Sequence, residues 1–350
     1  FRSIVATLLT LQFVRSPKYA DKKSASEVDW LGIFLLAITV GSLQYILERG
    51  HEDDWFESKV ITTLTLTSFF GFIFFIWREL TCEHPIVELR VLKNGNLRIG
   101  TVMSFILGFG LYGSTFIVPL YTQSVLGWTA LQSGALMIPA ALTTAFMMPI
   151  IGRLLTRGVK QQFLVALGLF IFFIYSFWGY KILTPDTGKD AFFWMLIMRG
   201  AGLGLLFIPI TSLSLSTLKG PQIGQGAAFT GMMRQLGGSF GVAAITTFIS
   251  NKSMFYRSDL VSKLDSNSMM VQQRLATLKA SFIAKGMTPD QALSAAYKVL
   301  DFSVSKQSAV LSYMDVFLYL GLMFLFCIPF ILFVKEKKGG ETIDLSEALH

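Results

Sequence analysis

Eight stretches of the chain, near 30–47, 60–77, 99–123, 131–152, 162–183, 192–217, 224–249 and 310–334, are long apolar runs with few charges. A helix needs roughly 20 such residues to cross about 30 Å of hydrocarbon, and inside lipid it must satisfy its own backbone polar groups. None of the runs alternates apolar and polar side chains as a barrel strand does. The pattern therefore predicts an all-α polytopic membrane protein. A ninth run, "FRSIVATLLTLQFV" at 1–14, reads as the end of a span whose start lies upstream, so the chain is expected to be part of a longer one. It has no signal-peptide cleavage pattern. Charged residues make up 15% of the chain, against about 25% in soluble domains, and this supports the same conclusion.

Lysine and arginine set the orientation. Fifteen of them occupy one alternating set of connections, from Arg15 through Arg78 and Arg153 to Lys338. The short connections opposite hold four, and one of these, "ERGHEDDWFES", is acidic. The rule that short cytoplasmic loops are basic places the first set, and the C-terminus, in the cytoplasm. The net charge of +8 then serves membrane anchoring, and no nucleic-acid surface is implied. One connection on the opposite side, about 250–309, is long and polar. It reads as two helices, "NSMMVQQRLATLKASFIAKG" and "TPDQALSAAYKVLDF". Gly286 closes the first, and Thr288 with Pro289 opens the second. Such an insertion is a lid or spacer, or a docking surface for a partner.

Enzyme signatures are missing. The three histidines and the two cysteines, Cys82 and Cys327, form no metal-ligand or disulfide pattern, so no metal or cofactor is expected. Gly200, Gly202 and Gly204 mimic a nucleotide loop, but they lie inside an apolar run with no preceding strand, where small residues serve close helix packing.

The candidates that remain are polar groups at membrane depth, which are costly there and usually face a cavity. Arg234, beside Gln235, lies about 15 Å into its helix at 1.5 Å per residue. Gly231, Gly238 and Gly241 share its face, while Gly237 and Gly241 form a GxxxG pair for helix packing. Arg234 is either a structural anchor or a group that takes part in substrate binding or conformational coupling. Asp315, a few residues into the last span, either ion-pairs and titrates or is a solvated helix-end carboxylate. Arg199 lies at similar depth and either lines a pathway or reaches the outer headgroups. Asp29 reads as a helix cap. Tyr112 and Gln123, in the glycine-rich span containing Pro119, suit the lining of a pathway for large amphipathic molecules. The turn "GRLLTRGVKQQ" supplies Gly152, Arg153, Arg157 and Lys160, either as topological anchors or as a gate.

Taken together, "GSTFIVPLYTQSVLGWTALQSGALMIPAAL", "IIGRLLTRGVKQQ", "RGAGLGLLFIPI", "MMRQLGGSFGVAAITTFI" and "KQSAVLSYMDVF" resemble multidrug efflux antiporters of the EmrB/QacA type. These form the fourteen-span drug:proton branch of the major facilitator superfamily. "GRLLTRGVK" is similar to the superfamily's inner-gate loop, with Thr156 where that motif carries an aspartate.

The resemblance implies a domain plan. Residues 1–14 end a sixth span, 15–98 hold cytoplasmic loops and two extra linking spans, and 99–350 form the C-terminal six-helix half with a cytoplasmic tail at 335–350. It implies an exporter in the bacterial inner membrane, driven by the proton gradient without a cofactor and working by alternating access. Small amphipathic or cationic compounds would be its substrates, and a periplasmic adaptor and outer-membrane channel are conceivable partners. The same scaffold could export an endogenous lipid, siderophore or metabolite. A non-transporting receptor or scaffold has no evident use for a midplane arginine.

Overall fold

The computed structural model describes residues 29–82, 94–218, 220–264 and 268–332. Among these residues the regular structure is helical throughout. The elements are α1 (Trp30–Arg49), a short 3-10 turn at Trp55–Glu57, α2 (Lys59–Thr81), α3 (Gly95–Ser124), α4 (Ala130–Leu136), α5 (Ile138–Thr156), α6 (Gln161–Ile182), α7 (Lys189–Leu215), α8 (Pro221–Ser262), α9 (Met269–Ala284) and α10 (Pro289–Leu332). The sixth-span remnant at 1–14, the start of the linking loops and the tail at 335–350 lie outside the described residues.

Seven of these segments are long and apolar enough to cross a membrane, rather than eight. The difference is α8. It is helical over the whole of 224–249, but Arg234, Gln235 and its run of glycines dilute its hydropathy below that of the others. A helix with this content is tolerable in lipid when its polar face meets protein or water. Packing supplies that here, because α8 lies along α3 in the same direction. Gly226 meets Leu97, Gly241 meets Phe109, and Ile245 lies against Gly113.

A second departure is in the run 131–152, which is two helices instead of one. Met137 forms the joint, donating its N–H to Gly134 O at 3.0 Å. Pro139, at the start of α5, has no N–H to carry the ladder back into α4. A capping box of Thr129 and Gln132 opens α4.

The centre of the bundle is α6, α7 and α10. Phe172 and Phe324 stack with ring centroids 4.1 Å apart, and Tyr175 meets Phe317 edge-on at 5.8 Å. Lipid tails are as apolar as these rings, so the packing gains here are dispersion and shape complementarity, not removal of surface from water. Small residues set the spacing. A Cβ on Gly200 would sit 2.3 Å from Ala140 O on α5, and one on Gly202 would sit 3.1 Å from Phe172 N on α6. The outward faces are rich in exposed aromatics such as Trp77, Phe146 and Phe326.

The linking helices α1 and α2 form an antiparallel pair. Ser68 donates to Thr39 O at 3.1 Å. Asp29 caps α1 by accepting from Gly32 N at 3.0 Å, and Arg78 Nε reaches its Oδ2 at 3.1 Å. Burial pushes the Asp29 carboxyl up, but the Arg78 and Gly32 hydrogen bonds outweigh it and hold the group below the usual carboxylate range.

The polar insertion differs from the sequence expectation in its second part. "NSMMVQQRLATLKASFIAKG" gives α9, closed by Gly286 at φ +90°, with Met287 N–H bonding Phe282 O as in a Schellman motif. "TPDQALSAAYKVLDF" is not a separate helix. It is the first part of α10, which continues unbroken for 44 residues into the last span. In the same way α8 runs 42 residues, past the end of its apolar stretch. At 1.5 Å per residue each is more than 60 Å long, about twice the hydrocarbon thickness. The insertion is thus a projecting helical hairpin, strapped by Arg257 to Asp301 at 2.6 Å and buttressed by α9.

Candidate functional site

The seam between α3 and α8 brings several of the polar candidates together at mid-depth. Gly108, near the middle of α3, lies directly against the backbone of Arg234: a Cβ there would stand 1.9 Å from Arg234 O. Gly237 makes the same kind of approach to Phe105 O (2.1 Å), Gly238 to the Tyr112 ring (2.3 Å) and Gly241 to Phe109 O (2.8 Å). Gly231 differs, with open space where a Cβ would be, so it is not part of the close-packed face that the spacing suggested.

With its backbone clamped in this way, the half-buried Arg234 side chain leaves the seam toward α7. Its Cζ lies 4.6 Å from the Phe207 ring centroid, a cation–π distance. Among the described residues no carboxylate, carbonyl or hydroxyl bonds its guanidinium. Beside it, Tyr112 donates its hydroxyl to Gln235 Oε1 at 2.8 Å, joining α3 to α8 on an exposed face. Neighbouring residues of α8 thus carry two polar groups, Arg234 over the Phe207 ring and Gln235 bonded to Tyr112. Phe207 could not be found from sequence, since it stands 27 positions away in another span and is one of 32 phenylalanines.

Arg199 does not reach for headgroups. It is 6% exposed and turns inward onto α3. Its Nε donates to Ser114 Oγ at 2.8 Å, and its Nη2 bonds Thr115 Oγ1 and, at 3.4 Å, Leu111 O. These partners are neutral, and they tie α7 to the wall of α3 that also carries Tyr112 and the exposed Thr115. Gln123, eleven residues or about three turns beyond Tyr112 on α3, is exposed and outside this group.

Asp315 is not a solvated helix end. Its Oδ2 accepts from Tyr256 Oη at 2.7 Å and faces Lys252 Nζ at 3.4 Å, with 18% of the side chain exposed. Its level is that of Tyr313, whose hydroxyl meets Ser124 Oγ at 3.1 Å at the end of α3. This is a separate cluster near one membrane face, linking α8 to α10.

The loop between α5 and α6 is a Schellman turn. Gly158 takes φ +86°, and the N–H groups of Gly158 and Val159 bond Leu155 O and Leu154 O at 3.0 and 3.2 Å. Gly152 lies inside α5. Arg153, Arg157 and Lys160 are exposed at the turn, and among the described residues no acidic group pairs with them. Thr156, in the place of the motif's aspartate, only caps backward onto Arg153 O at 2.9 Å. Among the described residues no three His, Cys, Asp or Glu side chains come together as metal ligands.

Comparison with known proteins agrees with this architecture. The family model described as Major Facilitator Superfamily matches residues 3–242. The chain is 26% identical over 340 residues to the fatty acid resistance protein FarB of Neisseria gonorrhoeae, covering 96% of this chain and 64% of that protein. It is 26% identical over 337 residues to the multidrug export protein EmrB of Escherichia coli K12, with the same coverage. An uncharacterized MFS-type transporter of Bacillus subtilis, YhcA, is 27% identical over 332 residues, 92% of this chain and 62% of that protein. The chain thus spans less than two thirds of the length of these relatives. This helical bundle, with spans enough for a multi-pass membrane protein and matched by the family model over most of its length, belongs to the Major Facilitator Superfamily.

Proposed function

We propose that the protein is the larger part of a proton-driven exporter of drugs or other amphipathic compounds, working by alternating access in the bacterial inner membrane with its C-terminus in the cytoplasm. The observation that carries this reading is Arg234. It is held at mid-depth by a seam of glycines, stacked on Phe207, and left without an ion-pair partner among the described residues. A cation at the bilayer centre is disfavoured by at least about 2.5–3.5 kcal/mol on insertion scales. A passive anchor gains nothing from that cost, whereas a pathway wall gains a group that can bind and release. In this reading Tyr112, Gln235 and Arg199 shape the same wall. Arg153, Arg157 and Lys160 serve the cytoplasmic gate, engaging helix ends in one conformational state. The helical hairpin of α8, α9 and α10 is the surface available to a periplasmic adaptor.

Two observations favour acidic amphiphiles, endogenous lipids among them, as a second substrate class. Arg234 carries a positive charge with no carboxylate beside it among the described residues, and one relative is named for fatty acid resistance.

Arg234→Lys and Arg234→Leu in the full-length transporter test the role. Lys keeps the charge but loses the planar fork of five donors, and Leu removes the insertion cost. Both are expected at normal abundance with efflux reduced at least about tenfold, a transition-state loss of about 1.4 kcal/mol. Normal efflux by Arg234→Leu at normal abundance refutes the assignment. Loss of abundance in both variants makes Arg234 a structural tie.

A further inference from the structure

A second recess lies further along α8, running from Phe240 to Lys252, the latter some 18 residues or about 27 Å along the helix from Arg234. It is an open groove of about 800 Å³ between the 47–55 segment and α8. Its walls are Leu47, Trp55, Phe240, Ala244 and Phe248, and its polar groups, Thr247, Asn251 and Lys252, lie in the half toward the C-terminal end of α8, where Phe255 closes it. That end is at the membrane interface, because Lys252 faces Asp315, two residues from the Tyr313–Ser124 contact that closes α3. From Lys252 back to Phe240 the groove follows 12 residues of helix, about 18 Å, close to the depth of one leaflet's hydrocarbon.

Lys252 has donors to spare. Its Nζ lies 5.6–5.7 Å from the ring centroids of Phe248, Phe255 and Tyr256. Among the described residues its one carboxylate partner stands at 3.4 Å, longer than the roughly 2.7–2.9 Å of a charge-assisted bond. The same Asp315 oxygen is already bonded by Tyr256 at 2.7 Å. An ammonium offers three N–H groups, so an anionic oxygen above Lys252 completes its coordination, and the aromatic collar is of the kind that sits at headgroup level.

We propose that this groove is a binding site for a phospholipid of the surrounding bilayer, with its phosphate on Lys252 and one acyl chain along Ala244 and Phe248 toward Phe240. The linking pair α1–α2 is thereby joined to α8 partly through lipid.

Native mass spectrometry of the full-length transporter, titrated with phosphatidylglycerol, tests this. The wild type should retain a lipid that Lys252→Gln loses about fivefold more readily, the factor for one lysine at an anionic lipid surface. Lys252→Arg should restore retention, and Ala244→Trp, which fills the groove, should abolish it. Benzoylphenylalanine at Ala243 should give a lipid photoadduct. Equal retention by wild type, Lys252→Gln and Ala244→Trp overturns the proposal, as does a photoadduct to another segment of the protein. Retention does not depend on transport, so this result and the efflux of the Arg234 variants can fail separately.

Discussion

Gly108→Ala is the sharpest perturbation of the seam that presents Arg234. An added Cβ would stand 1.9 Å from Arg234 O, against about 3.4 Å for ordinary contact, so α3 and α8 must part by about 1.5 Å. The obstacle is backbone inside a helix and cannot swing away as a side-chain tip would. Overpacking of this kind costs typically about 1–3 kcal/mol, and the better helix propensity of alanine returns at most about 1. The net expectation is a loss of about 1–2 kcal/mol. Gly231→Ala, on the facing helix α8, is the matched control. It meets nothing within 4 Å and should gain up to about 1 kcal/mol from propensity alone. The two variants should therefore differ by about 2–3 kcal/mol in denaturation of the purified full-length protein. Gly108→Ala should also lower efflux, because the atoms it displaces are the backbone from which Arg234 reaches Phe207. Equal stability of Gly108→Ala and Gly231→Ala would refute the close-contact argument. Lost stability with undiminished efflux would separate the seam from the transport face.

Three further outcomes are expected. Replacing Arg153 and Arg157 together with Gln should reduce transport while abundance and topology stay intact; wild-type efflux would leave both as topological anchors. Asp29, whose folded carboxyl sits below its ordinary value, contributes stability that is present above about pH 3.9 and is lost as pH falls through the lower folded value. The α1–α2 pair should accordingly loosen on acidification, and Asp29→Asn should show the looser behaviour already at neutral pH, read by cross-linking of cysteines placed on α1 and α2. Cysteines at Ser58 or Ser266 should react with an impermeant thiol reagent added outside intact cells, and one at Ser24 should not; outside labelling at Ser24 reverses the orientation.

Hydropathy alone marked where helices cross the membrane, because a spanning segment must satisfy its backbone within itself and its apolar length is set by the bilayer. The same local rule marked Arg234, Arg199 and Asp315 as groups out of place. It could not say where a helix stops once it leaves lipid. The composition changes near 250 and 309, but helical hydrogen bonding does not, and α8 and α10 run on into the hairpin. Nor could it break the 131–152 run, where Pro139 separates α4 from α5. Partnership belongs to the tertiary structure. Arg199 finds Ser114, Arg234 finds Phe207 and Asp315 finds Lys252 and Tyr256 across 27 to 85 positions of chain. Such meetings follow from which helices pack together, and in a bundle held by shape and small residues that choice is made by the whole set of contacts at once. The sequence could show that a charge at mid-depth needs company, but only the fold decided which groups supply it.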